Sequence, residues 1–304
     1  MSDSYAEIFR KNFQPLEPIT AGETPVLRKL AAVRAVMFDV YGTLIISASG
    51  EVGSAAEQST GTASTPQSAI VAAFRAMGIS LANLPDGESL AELFFSAIEE
   101  SHARDRAGGI EYPEVDIVKI WHTVLGTLAD SGVIERSAAA GCDLERLAVR
   151  YEARANPCWP MPHLRKCLGQ LRQGGQTLGI ISNAQFFTPL VFTALLGETV
   201  EDLGFPPDLQ YYSYQSGFAK PGAGLFEMAA RRLADRGIGP KEVVYVGNDM
   251  LNDILPARMV GFSTALFAGD NRSLRCREGD RRLESTSPEL VLTDLAQLAD
   301  CVCP

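Results

Sequence analysis

Residues 33–44 read VRAVMFDVYGTL: a short apolar run, an acid at position 39, then a glycine and a threonine. A run of about four to eight apolar residues bounded by turn signals is the pattern of a fully buried strand. Three similar runs follow: TLGIIS ending at Ser182, EVVYVGND with its apolar part ending at Gly247, and STALF ending at Phe267. Helical spacing over 161–173, 185–197, 222–236 and 251–260 alternates with them. Strands alternating with helices predict an α/β fold with a doubly wound, Rossmann-like parallel sheet. Such sheets bind ligands at the carboxyl ends of their strands. Polar residues stand at those ends here: Asp39, Ser182, Asn248 and Asp249.

The alternation breaks after the first strand. From about residue 47 to 158 no buried strand is evident, and amphipathic helical spacing covers 70–78, 89–106, 115–132 and 142–154. The expected organisation is a core of residues 1–46 and 161–304, with 1–30 as an N-terminal extension, and an inserted all-helical cap over 47–160. The polar, glycine-rich stretch 49–68 reads as a flexible link. Residues 288–300 look like a closing helix, and the arginine-rich segment 271–285 like a solvated loop.

A chain of 304 residues with 46% hydrophobic and 21% charged residues is ordinary for a globular protein of one large or two unequal domains. It has neither an apolar run of membrane-spanning length nor a secretion-signal core, so a cytoplasmic protein without a membrane partner is expected. A net charge of −10 repels phosphodiester backbones, which makes nucleic acid a poor partner and leaves a small-molecule substrate. The oligomeric state is left open. The six cysteines, including the terminal Cys301 and Cys303, lack paired zinc-ligand spacing and read as free thiols. His102, His122 and His163 are scattered, and Trp121 with Trp159 is expected to pack the cap or its hinge.

Asp39 is the first chemical candidate. An acid at the end of a buried strand, beside a glycine that permits a tight turn, is rigid and partly desolvated. Such carboxylates attack phosphorus or carbon to form covalent intermediates, although many strand-end acids only cap the next helix. Ser182 and Asn183 either cap a helix from Gln185 or hold a phosphate by the same geometry. Lys220, in GFAKPG, is either a solvated charge or one restrained by its neighbouring proline. Asp249 and Asp253, in GNDMLND, fall on one helical face, where acids also simply stabilise a helix N-terminus.

Taken in order, FDVYGTL (38–44), IISN (180–183), AKPG (219–222) and VGNDMLND (246–253) resemble the motifs of the haloacid dehalogenase-like superfamily, in its branch with a helical C1-type cap. The resemblance implies that Asp39 is a nucleophile and that Thr43, Ser182 and Lys220 hold the transferring group. It further implies that Asp249 and Asp253 position a magnesium ion and Lys220, with Asp39 and the Tyr41 backbone carbonyl as further metal ligands. Gly42 and Asn183 would lie against the substrate, with Asn248 in support.

Two departures pull in different directions. Phosphatases of this superfamily carry an acid–base aspartate where this chain has Tyr41, a group whose pKa near ~10 suits proton transfer at neutral pH poorly. The 2-haloacid dehalogenases have tyrosine there. They also replace the leading acid of the fourth motif with serine and work without metal, whereas this chain keeps Asp249 and Asp253. Nor does Arg104, Arg106 or Arg150 match the halide-binding arginine of the cap. The expectation is a magnesium-dependent phosphatase. The alternatives are a metal-free dehalogenase and, given Tyr41 and Asn248, a binding protein without turnover.

Overall fold

The computed structural model describes residues 3–49, 64–81 and 89–303. Strand β1 (Ala35–Phe38) lies at the centre of a six-stranded parallel sheet. The other strands are β4 (Thr177–Ser182), β5 (Gln210–Tyr212), β6 (Val243–Gly247), β7 (Ser263–Phe267) and β8 (Leu290–Leu292), in the order β5-β4-β1-β6-β7-β8. Alternate residues of β1 serve opposite faces. Val36 and Phe38 pack with Leu164, Leu168 and Phe192, whereas Ala35 and Met37 pack with Leu225, Phe226 and Leu233. The second set of partners lies on a helix over Gly224–Asp235, and the first set on helices over Leu164–Gln173 and Thr188–Leu196. Both faces are therefore covered, as a continuous apolar strand requires.

The four expected core strands are present. Two more are too short for their period to stand out. β5 spans three residues, and β8 occupies the start of the segment expected as a closing helix. There Leu290 and Leu292 are buried with Val291 between them half-buried, a strand period; the helix begins only at Ala296 and ends at Val302. The segment expected as a helix over 251–260 begins with a π-turn at Met250–Ile254 and continues as an α-helix over Leu255–Met259.

The insertion after β1 is helical: Pro66–Ala76, Leu90–Ala107, Ile117–Asp130, Arg136–Ala140 and Leu144–Ala155. Trp121 is fully buried among Phe74, Phe94 and Tyr151. Two short strands that periodicity missed, β2 (Ile45–Ser47) and β3 (Cys158–Pro160), pair antiparallel where the chain leaves and re-enters the core. Trp159 lies in this pair. Much of the expected flexible link 49–68 lies outside the described residues, but its last three residues are helical, with Thr65 as N-cap and Pro66 at the first position.

The N-terminal extension does more than trail from the core. Its helix Tyr5–Asn12 carries Phe9, fully buried and 6.0 Å from Phe187 of the core. On its other side Tyr5 donates to Glu145 and Arg146 donates to the Asp3 carbonyl, both in the cap helix Leu144–Ala155. Beyond it, Val26 bridges to Val291 at the sheet edge.

Candidate active site

Asp39, Lys220 and Asp253 converge at the carboxyl end of the sheet, although they lie far apart in sequence. The Lys220 ammonium donates to Asp39 Oδ1 at 2.8 Å and to Asp253 Oδ1 at 2.5 Å. It also donates to the Tyr245 hydroxyl at 3.2 Å. That hydroxyl lies 2.8 Å from the Ile181 carbonyl and 3.0 Å from Asp253 Oδ1. All three charged residues are buried. Burial alone lowers the Lys220 ammonium, but Asp253 and Asp39 outweigh it and raise it above its ordinary value. Burial raises the Asp253 carboxyl, against the pull of Lys220. The three-way contact keeps the cluster charged and fixed, because an unpaired carboxylate here would be costly.

Local geometry explains how these side chains reach one point. Gly247 ends β6, and a Cβ there would lie 2.5 Å from the Asp253 Oδ2 and Cβ atoms, so only glycine admits that carboxylate. Asp253 Oδ2 then accepts from the Asp249 N–H at 2.9 Å. Asn183 clamps Lys220 by its backbone, accepting from its N–H at 2.8 Å and donating to its carbonyl at 3.1 Å. Gly42 has φ +82°, and a Cβ there would meet Ser273 and Asn248.

Two expected members of the site stand outside the cavity, and a third lines it with different partners. Thr43 is fully buried and donates to Asn248 Oδ1, and Ser182 is fully buried with its hydroxyl toward the Asn183 carbonyl. Neither lines the cavity beside Asp39. Asp249 does not share Lys220 with the other two acids. Its carboxylate accepts from the Leu251 and Asn252 N–H groups, as an N-cap, and from the Arg277 guanidinium. The Tyr41 hydroxyl is 3.0 Å from the Thr188 hydroxyl. Burial pushes the Tyr41 phenol well above its usual value, with Cys158 and Glu152 adding to the rise, so it cannot serve as an acid–base group near neutrality.

The cavity measures about 260 Å³. Besides Asp39, Tyr41, Asn183, Lys220, Asn248, Asp249 and Asp253, its walls include Asn252, Ser273, Arg275 and Arg277. The last three belong to the segment expected as a solvated loop. Instead that segment is built into the site. The Arg275 N–H donates to the Asn248 carbonyl, the Met250 N–H donates to the Arg275 carbonyl, and Asn248 Nδ2 donates to the Ser273 carbonyl. Buried Asp270 accepts from the Ile19 and Arg272 N–H groups, and Arg272 donates to the Glu17 carbonyl, which ties the segment to the N-terminal extension. Among the described residues every cavity-lining side chain comes from the core. Tyr245 was also unannounced, although a hydroxyl inside a buried strand requires a partner.

The donors around Asp39 are oxygens, the kind a magnesium ion prefers. Among the described residues no three His, Cys, Asp or Glu side chains form a metal-ligating group by themselves. A cation beside Asp39 would therefore need backbone or amide oxygens as well, which the Tyr41 carbonyl and Asn248 can offer.

A family model of haloacid dehalogenase-like hydrolases matches residues 33–261. The chain belongs to that family. It is a haloacid dehalogenase-like hydrolase, and its parallel sheet with an inserted helical unit is the family's fold. A curated relative is the ribulose-1,5-bisphosphate 5-phosphatase of Halopiger xanaduensis (strain DSM 18323 / JCM 14033 / SH-6), 29% identical over 144 residues. The match takes in 47% of this chain and 56% of that protein, so the chain spans little more than half of that relative. Among solved structures, 2-haloacid dehalogenase from Pseudomonas syringae pv. Tomato DC3000 superposes with a TM-score of 0.54 at 20% identity, over 88% of this chain and 97% of that one. A phosphatase of the family from Thermococcus onnurineus gives a TM-score of 0.46 at 19% identity, over 88% of this chain and 97% of that one. No helix among the described residues is long and apolar enough to cross a membrane.

Proposed function

We propose that this hydrolase is a magnesium-dependent phosphatase of a small phosphorylated metabolite, acting through an aspartyl-phosphate on Asp39. The observation that carries the reading is the cavity lining, which is charged or amide-bearing almost throughout, with Tyr41 as the sole apolar-bodied member among the described residues. Such walls suit an oxyanion and offer little to the carbon chain of a haloalkanoic acid.

In this reading Asp39 attacks phosphorus, and the P–O bond to the leaving group breaks. Lys220 holds Asp39 in line and offsets the charge gathering on the phosphoryl oxygens. Asp253 and Tyr245 hold Lys220, and Asn183 fixes the backbone that carries it. Water then cleaves the aspartyl-phosphate and regenerates Asp39. Magnesium, held by Asp39, the Tyr41 carbonyl and a residue of the 248–249 pair, would supply further positive charge at the phosphoryl group. Since Tyr41 provides no acid, leaving groups that depart as stable anions are favoured.

Purified protein should release phosphate from 4-nitrophenyl phosphate only with magnesium present, and Asp39→Asn should abolish it. Tyr41 sustains a second reading, 2-haloacid dehalogenation through an aspartyl ester. Metal-independent halide release from 2-chloropropionate would establish that reading in place of the first.

A further inference from the structure

We infer that Arg277, on the segment 270–277, receives a second anionic group of the substrate, so that the substrate class is a small phosphate ester bearing a further carboxylate or phosphate. This rests on the phosphatase reading and narrows it.

Lys220 is already committed, buried between Asp39 and Asp253. It can serve the transferring group beside Asp39, but it leaves no cation for charge farther along the substrate. Arg277 supplies one. Its guanidinium lies on the cavity wall and already grips a carboxylate with two prongs, Nε 3.2 Å from Asp249 Oδ1 and Nη2 2.6 Å from Oδ2. That fork is the geometry by which arginine binds carboxylate and phosphate groups generally, and both Arg277 and the Asp249 it holds line the cavity. A substrate oxyanion entering beside Asp249 would share or take over the fork.

Three features mark Arg277 as placed rather than incidental. Its backbone has φ 53°, a left-handed conformation that costs a residue with a side chain energy and that clusters at ligand-binding positions. Arg275, also on the cavity wall, is fastened through its N–H and carbonyl to residues 248 and 250, and so sets the distance between this segment and the strand-end acids. Asp270, one side chain that is nearly fully buried, anchors the other end of the segment through Arg272 at 2.7 Å. The arginine is thus held on a rigid arm.

The test is binding of three non-hydrolysable probes by calorimetry in magnesium buffer: propylphosphonate, 3-phosphonopropionate and propane-1,3-bisphosphonate. Wild-type protein should bind at least one two-anion probe roughly tenfold or more tighter than propylphosphonate, the size of one charge-assisted contact. The tighter of the two tells carboxylate from phosphate. Arg277→Gln should bring the three affinities together, and Arg277→Lys should keep part of the preference, because charge survives while the fork is lost. Circular dichroism confirms that each variant folds. Equal affinities in the wild type, or a preference untouched by Arg277→Gln, would overturn the inference. Failure of the phosphatase reading shows separately, as absence of phosphate release from 4-nitrophenyl phosphate while the probe preference persists.

Discussion

The floor of the site and its rim are built by different means. The floor is Asp39 at the end of β1, Lys220 in the loop ahead of the helix over Gly224–Asp235, and Asp253 in the π-turn after β6, all buried and locked by contacts of 2.5 and 2.8 Å. The rim is Ser273, Arg275 and Arg277, on a segment without regular structure, held by backbone contacts to residues 248 and 250 and by ties to the N-terminal extension. The floor takes its rigidity from the end of β1 and from hydrogen bonds that hold Lys220 through Asn183 and Asp253 through the Asp249 N–H. The rim takes it from hydrogen bonds to residues 248 and 250 and to the N-terminal extension, and in the proposed function the chemistry belongs to the floor and selectivity to the rim.

The largest effect should come from breaking the floor. Lys220→Met leaves Asp39 and Asp253 facing one another in a buried site. A loss of about 3–5 kcal/mol in unfolding free energy is expected together with loss of turnover. Urea denaturation checks the first and phosphate release the second. A stable variant would mean that the two acids are not both charged.

Breaking the rim should do less. Asp270→Asn removes the charge that fastens Arg272 at 2.7 Å. It should lower stability by about 1–2 kcal/mol and raise KM more than it lowers kcat, since the arm moves while the floor stays. Steady-state kinetics on a two-anion substrate reads this directly. An equal fall in kcat would place the segment in the chemistry instead.

Tyr41 sharpens the contrast from within the floor. With its phenol buried against Thr188 and raised well above its usual value, log kcat for a series of aryl phosphates should fall steadily as the leaving phenol becomes more basic. Tyr41→Asp should flatten that slope. An already flat slope in the wild type would point to another proton donor.

The smallest effect lies outside both regions, at Glu152 in the cap helix. Burial pushes its carboxyl from 4.5 up to about 7, against the Asn156 hydrogen bond. The neutral form is therefore favoured on folding. Its contribution is present below pH 4.5 and lost as pH rises through 7. Glu152→Gln should raise Tm at pH 8 by roughly 2–4 °C and leave it nearly unchanged at pH 4.

The same division governs what could be read in the sequence. Asp39 was legible because a buried parallel strand is a continuous apolar run whose end is where such folds keep polar side chains, whereas Lys220 and Asp253 stood out only as members of the ordered motif set, since a loop lysine and a helix-start acid are ordinary on their own. Asp249 was legible as an acid at a helix N-terminus, which it caps, but its pairing with Arg277 was not, because that partner lies 28 positions away. Thr43 and Ser182 matched motif positions, yet they stand behind the cavity wall, bonded to Asn248 and directed at the Asn183 carbonyl. The rim was illegible for a physical reason. A loop rich in both charges has no period, and its place is set by contacts with Glu17, Ile19 and residues 248–250 that composition does not encode. The short strands β5 and β8 escaped because three residues hold too little of a two-residue period.

Phosphatase turnover by this route requires covalent attachment at Asp39. Protein mixed with 4-nitrophenyl phosphate and magnesium, quenched in acid within the first turnover and digested, should yield the peptide containing Asp39 heavier by one phosphoryl group. The same peptide from Asp39→Asn should carry none. Steady phosphate release from the wild type with that peptide unmodified at every quench time would contradict it.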